Sequence, residues 1–259
     1  MRKGLVAANW KMNGLSQSND ALLGAILSGL KEPDGLGSQE SARAEVLICP
    51  PAIYLQQVRE KLEGSKIQLG GQNVHPAKSG AFTGEISAGM LSDTGCTHVI
   101  IGHSERREIF GETDQFIAEK FSAAQADNLI PVLCVGETQA QREAGSTAET
   151  VLGQLYAILG HAGIGAFKQA IIAYEPVWAI GTGLTASPEQ AQEVHSLIRR
   201  TISEQDESVG EQIRIIYGGS VKAANAATLF AQPDIDGALV GAASLVAEEF
   251  ISICASFAE

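Results

Sequence analysis

The chain has 259 residues, 45% hydrophobic and 19% charged, with a formal net charge of -12 and a sequence pI of about 4.9. That length fits one large α/β domain or two small ones, and the composition is that of a soluble globular protein. The acidic balance disfavours nucleic acid and anionic membranes as partners, because phosphate backbones need basic faces, yet it leaves room for a small anionic ligand at a local positive site.

In chain order, eight short apolar runs recur: residues 5–10 (LVAANW), 45–49 (EVLIC), 67–71 (IQLGG), 98–102 (HVIIG), 130–135 (IPVLCV), 170–174 (AIIAY), 213–217 (IRIIY) and 237–241 (GALVG). They are continuous rather than alternating, as parallel strands covered on both faces should be. Helical patterns fall between them. Residues 52–64 place Ile53, Leu55, Val58 and Leu62 roughly on one face, and 113–127 and 189–201 read similarly. Ser187-Pro188-Glu189-Gln190 predicts a helix start, with Ser187 as N-cap, Pro188 in the first position and Gln190 closing a capping box. Residues 31–44 read as a solvated loop. Eight strand–helix units in this length predict an α/β protein, a single (β/α)8 barrel domain over residues 1–259, with a doubly wound sheet as the alternative.

The four cysteines, Cys49, Cys96, Cys134 and Cys254, are scattered and form no CxxC pair, so neither a zinc site nor a redox motif is indicated. Cys49 and Cys134 sit in strand-like runs as packing residues. Few cysteines and no glycosylation sequon fit a reducing compartment, and no signal peptide is read at the N-terminus. The longest uncharged stretch, 150–167, carries too many glycines for a membrane span.

In a closed barrel the C-terminal strand ends meet at one mouth, where active groups sit. Here they would bring together Asn9, Lys11, His103, Ser104, Glu105, Glu175 and Ser220. That set offers a base, a proton donor or electrophile, a fixed cation and an amide, without a metal cluster, a Ser-His-Asp arrangement or a GxxxxGK[ST] or GxGxxG fingerprint. YGGS and VGAAS can turn backbone N–H groups toward a phosphate. Taken singly, Lys11 reads as a solvated lysine, His103 as a core histidine and Glu175 as a strand-end acid. Only their convergence at one end of one kind of unit favours a site. Glu175 is followed by Pro176 and an apolar tip, Val177-Trp178-Ala179-Ile180, then Gly181 and Gly183.

The segments NWKMNG, GQNVHPAKSGAFTGEIS, IIGHSERREIFGETD, PVLCVGET, AYEPVWAIGTG, IIYGGSV and DGALVGAASL, in this order and over nearly the whole chain, resemble the triosephosphate isomerase family. The resemblance implies a cytoplasmic (β/α)8 homodimer without metal or cofactor, interconverting dihydroxyacetone phosphate and glyceraldehyde 3-phosphate in glycolysis and gluconeogenesis. It assigns Glu175 as the base, His103 as the electrophile, Lys11 and Asn9 as substrate and transition-state contacts, and Ser104 and Glu105 as supports. Gly181, Ser220, Gly241 and Ala242 match phosphate-binding positions, although the family commonly has glycine where Ala242 stands. It also makes residues 71–87 the dimer loop, with Phe82 and Thr83 in contact with the second subunit. The apolar tip after Glu175 then reads as a lid, hinged at Pro176 and at Gly181 and Gly183, that excludes water from a reactive enediolate. His103 is expected to be neutral when it polarises the substrate carbonyl, because the helix start at HSERR disfavours an imidazolium. The alternatives are another phosphosugar barrel enzyme with a metal cluster or a different acid–base pair, or a non-catalytic paralogue, which would be expected to lack Glu175 or Lys11.

Overall fold

The computed structural model describes residues 2–30, 44–180 and 185–257. Their order is β1 (Gly4–Asn9), α1 (Ser16–Gly29), β2 (Ala44–Cys49), α2 (Leu55–Leu62), β3 (Gln68–Gly71), α3 (Ala88–Asp93), β4 (His98–Ile101), α4 (Ser104–Phe110), α5 (Asp114–Ala126) and β5 (Ile130–Val135). Then come α6 (Gln139–Glu143), α7 (Thr147–Ala162), β6 (Ile171–Tyr174), α8 (Pro188–Ser203), α9 (Glu207–Gln212), β7 (Arg214–Tyr217), α10 (Ala223–Phe230), β8 (Gly237–Val240) and α11 (Ala247–Ala255). Each strand pairs in parallel with its neighbours in chain order, and β8 pairs with β1, so the sheet closes into an eight-stranded barrel. The predicted (β/α)8 architecture is the one observed, and the doubly wound alternative falls.

Every expected strand is present within a residue or two of its predicted bounds. Their continuous apolar character follows from two separate cores. Leu5, Ala7, Leu47, Cys49, Ile100, Val132, Cys134, Ile171, Ala173, Ile216 and Leu239 fill the barrel interior. The alternate residues, among them Val6, Ala8, Ile48, Val99, Ile101, Leu133, Ile172 and Ile215, join the layer beneath the helices. A strand residue therefore meets apolar neighbours whichever way it points. All four cysteines are buried, and Cys49 and Cys134 lie in the inner core as expected.

The helix starts follow their caps. Ser187 accepts from the Gln190 N–H at 3.2 Å and Gln190 closes the capping box, with Pro188 opening α8. Thr113 caps α5 by accepting the Phe116 N–H at 3.3 Å, without a capping box. Two expectations need correction. Residues Ala52–Tyr54 form a 3-10 turn and the α-helix begins only at Leu55, so Ile53 falls out of phase with the buried Leu55, Val58 and Leu62 and is 82% exposed. Ala44 is not loop but the buried first residue of β2, paired with Gly4; the remainder of the expected loop, 31–43, lies outside the described residues. No helix among the described residues is long and apolar enough to cross a membrane.

Candidate active site

The inner series of two strands delivers the first site residues. On β1, Leu5 and Ala7 point inward, and Asn9 is the next step. On β6, Ile171 and Ala173 point inward, and Glu175 follows. Both are buried at the C-terminal mouth, Asn9 at 6% and Glu175 at 1% exposure. His103 and Ser104 stand just beyond β4, where His103 caps α4 by accepting the Glu105 N–H on Nδ1 at 3.3 Å. With Nδ1 an acceptor, the neutral ring carries its proton on Nε2.

That Nε2 lies 3.0 Å from Glu175 Oε1. Ser104 donates to the same carboxylate twice, its N–H to Oε2 at 2.9 Å and its hydroxyl to Oε1 at 3.2 Å. Burial favours the neutral acid, but His103, the Ser104 N–H and Lys11 outweigh it and hold the Glu175 carboxyl below its ordinary value. The His103 ring is the converse: burial pulls its pKa down, and the Glu175 carboxylate more than reverses this, leaving it above the ordinary value. With Glu175 paired to it, the ring is therefore shifted toward the imidazolium, opposite to the direction expected from the helix terminus alone. A neighbouring full charge at 3.0 Å outweighs the partial charge of a helix end.

Lys11 has a left-handed backbone, φ 53°, an uncommon conformation for a residue with a side chain. Its N–H donates to Asn9 Oδ1 at 3.0 Å, and its carbonyl accepts from Gln72 Nε2 at 2.9 Å. Those two bonds hold the turn that returns the lysine to the mouth. Its Nζ is 2.5 Å from Glu105 Oε1. Asn9, Lys11, His103, Ile180, Ser220, Gly241 and Ala242 line one cavity of about 380 Å³. Ala242 opens a 3-10 turn (Ala242–Leu245) and has no left-handed backbone, so a side chain is tolerated there without strain. Gly181 lies outside the described residues, as do Thr182, Gly183 and Leu184.

The described start of the tip is anchored. Val177–Ala179 form a 3-10 turn, and Trp178 Nε1 donates to Glu137 Oε1 at 3.0 Å. Tyr174 Oη donates to the same oxygen at 3.1 Å, and the Arg142 guanidinium lies over the Trp178 ring at 4.3 Å. Glu137 is fully buried. Sequence reasoning quoted it within PVLCVGET without giving it a role. It stands two residues past the end of β5, in step with the outward-facing Val135, and its partners come from β6 and the tip, so no local pattern marked it. Two glycines make room for the base: Gly218, which the sequence reading placed in YGGS as a source of N–H groups for phosphate, and Gly136, to which it gave no role. A Cβ at Gly218 would meet Glu175 Cγ at 2.8 Å, and one at Gly136 would meet the Glu175 carbonyl at 1.8 Å.

A parallel barrel whose mouth holds an imidazole and a lysine on one cavity, with a buried carboxylate bonded to that imidazole and lining a smaller cavity of its own, defines an acid–base barrel enzyme with a positive anchor for a small substrate. The family model for triosephosphate isomerase matches residues 4–257. The chain is 54% identical to the triosephosphate isomerase of Dechloromonas aromatica over 98% of both chains, and 53% identical to that of Nitrosomonas eutropha over 98% of this chain and 97% of the other. It is also 53% identical to that of Thiobacillus denitrificans over the full length of both. The chain belongs to the triosephosphate isomerase family.

Proposed function

We propose that the chain is a cofactor-independent aldose–ketose isomerase that interconverts dihydroxyacetone phosphate and glyceraldehyde 3-phosphate through an enediolate, in glycolysis and gluconeogenesis. The observation that carries this reading is the Glu175–His103 pair at the barrel mouth, 3.0 Å apart, in a chain of this family. A coupled assay of triose phosphate interconversion on purified protein with added chelator tests it. Interconversion at enzymatic rates is expected, and its absence overturns the reading.

The reaction removes a proton from the carbon beside a carbonyl and returns it to the next carbon. Glu175 serves as the base: it is buried, and its lowered pKa keeps it ionised at neutral pH. The enediolate needs positive charge and donors where its negative charge develops, and Lys11 Nζ, His103 Nε2–H and the Asn9 amide supply them. Ser220, Gly241, Ala242 and Gly181 hold the phosphate, the first three lining the cavity that also contains Lys11. Ser104 positions Glu175, and Glu105 positions Lys11 and the His103 ring.

In this geometry the base and the electrophile are bonded to each other, so substrate must part them before either can act. When Glu175 turns to the substrate, the charge that raises the His103 pKa leaves. The Glu105 N–H directed at Nδ1 stays, and it favours the neutral ring. Nitrogen NMR of His103 should therefore show a pKa above the ordinary 6.5 in the free protein, with the ring charged below that pKa and neutral above it. In a complex with a non-reactive enediolate mimic the ring should be neutral at pH 7. A charged ring in that complex sinks the assignment.

Residues 1–259 read best as one domain, since strands from the whole chain close a single barrel. A cytoplasmic location is supported by the glycolytic role and by cysteines that are all buried and unpaired. For assembly we favour a twofold homodimer through the 71–87 loop. Phe82 keeps 46% exposure even though its ring lies against His75, centroids 4.3 Å apart and tilted by 37°, and Met12, Met90 and Phe110 are also exposed. A second cavity of about 440 Å³, lined by Asn9, Lys11, Gln72 and Glu105 among others, opens beside Lys11 and suits Thr83 of a second copy. Two such loops in two such cavities close a dimer and shield Lys11 from water. Ala81→Glu combined with Thr83→Glu should give weakly active monomers, judged by sedimentation with activity measured on the same fractions. A fully active monomer would refute a dimer that supports the site.

A further inference from the structure

We propose that Gln154 is a positioning residue for the catalytic carboxylate, acting through the main chain of Gly136; this rests on Glu175 being the base. Gln154 is carried by α7, on the helix side of the sheet. Its carboxamide pairs with Gly136 in both directions: the Gly136 N–H donates to Oε1 at 2.8 Å, and Nε2 donates to the Gly136 carbonyl at 3.0 Å. The side chain thereby pairs with the chain just beyond β5 as a neighbouring peptide would.

Three consecutive residues there form a ledge under the base. Val135 accepts the Glu175 N–H at 2.8 Å. Gly136 lies so close that an added Cβ would stand 1.8 Å from the Glu175 carbonyl. Glu137 accepts the Val177 N–H on its carbonyl at 3.1 Å and takes Tyr174 and Trp178 on its side chain. The base and the first turn of the tip thus rest on 135–137, and the middle of that ledge is a glycine, the residue whose backbone is least restrained by its own structure. Gln154 supplies the restraint from outside. Just before the ledge, the Cys134 carbonyl is held by Arg107 Nη2 at 3.2 Å. Ser104 fixes the far end of Glu175 and Gly136 its near end, with a cavity of about 190 Å³ beside them. The carboxylate has room to shift if the ledge does.

The test uses two variants of the full chain. Gln154→Met keeps the volume and removes both hydrogen bonds. It should lower kcat by about tenfold or more, since a base displaced by about 1 Å can cost roughly 100-fold, and leave KM within about twofold because the phosphate contacts lie elsewhere in the mouth. Gln154→Glu adds a signature that a purely structural role lacks. A protonated carboxyl presents one donor and one acceptor, as the amide does, whereas the carboxylate has no donor for the Gly136 carbonyl. Its kcat should approach that of the parent at acid pH and fall as the introduced acid ionises. A kcat within twofold of the parent in Gln154→Met, or a loss in Gln154→Glu that does not change with pH, overturns the proposal. Carbon NMR of the Glu175 carboxyl separates this from failure of the functional reading. Its titration should shift in Gln154→Met whether or not the parent isomerises trioses, and an unchanged titration refutes the positioning role.

Discussion

Glu175→Gln is expected to lower turnover by several orders of magnitude while leaving the protein folded. The amide has the shape of the carboxylate but cannot take a proton from carbon. Its cost to the fold can be read from the bonds around it. If the amide oxygen keeps the Ser104 N–H, its NH2 faces His103 Nε2–H, donor against donor. The ring cannot relieve this by moving its proton to Nδ1, because Nδ1 already accepts the Glu105 N–H. One buried hydrogen bond is lost, about 1 kcal/mol, small beside the stability of a barrel this size. Glu175→Asp keeps a base and retracts it by one methylene, and about 100-fold is expected from misplacement alone. Steady-state kinetics with thermal melts of all three proteins decide the matter. Turnover in the Gln variant near that of the parent would remove Glu175 from the mechanism.

The second large effect is expected at Lys11. Lys11→Met should depress affinity and turnover together, by about 100-fold or more in kcat/KM, because one ammonium reaches both the phosphate and the developing oxyanion. The chain carries a net charge of -12, so a fixed cation in the mouth matters for an anionic substrate. Lys11 is also held through its own backbone, in a left-handed turn clasped by Asn9 and Gln72. Methionine accepts that turn no worse than lysine, so the variant isolates the charge. Glu105, which loses its partner, is 44% exposed and regains water. A rise in KM with kcat unchanged would show uniform binding and end the transition-state role.

The eight strands were legible because burial on both faces leaves continuous apolar runs, and the strand ends named Asn9, Lys11, His103, Ser104, Glu105 and Glu175 because a closed barrel gathers them. What stayed hidden was of two kinds. Ile53 reads as a helix-face residue until a 3-10 turn changes the period before Leu55. Glu137, Gln72 and Gln154 act through backbone groups or side chains distant in sequence, and no local pattern marks a glutamine that will pair with a glycine 18 residues earlier. The direction of the His103 shift was hidden for a similar reason: it depends on the Glu175 carboxylate, which only the closed barrel brings to it.

Glu175 stands two positions after Ala173 and four after Ile171, and its neighbours Ile172 and Tyr174 belong to the opposite face. Chemistry and packing therefore share one parity. Adding or deleting a single residue inside Ile171–Tyr174 would turn the carboxylate under the helices and bring an aromatic ring to the mouth. The same odd step in β1 would carry Asn9 away. Connections between strands carry no such parity, so descendants of this chain can drift in loop length, while any odd length change within a strand is purged twice over, once by the core and once by the reaction.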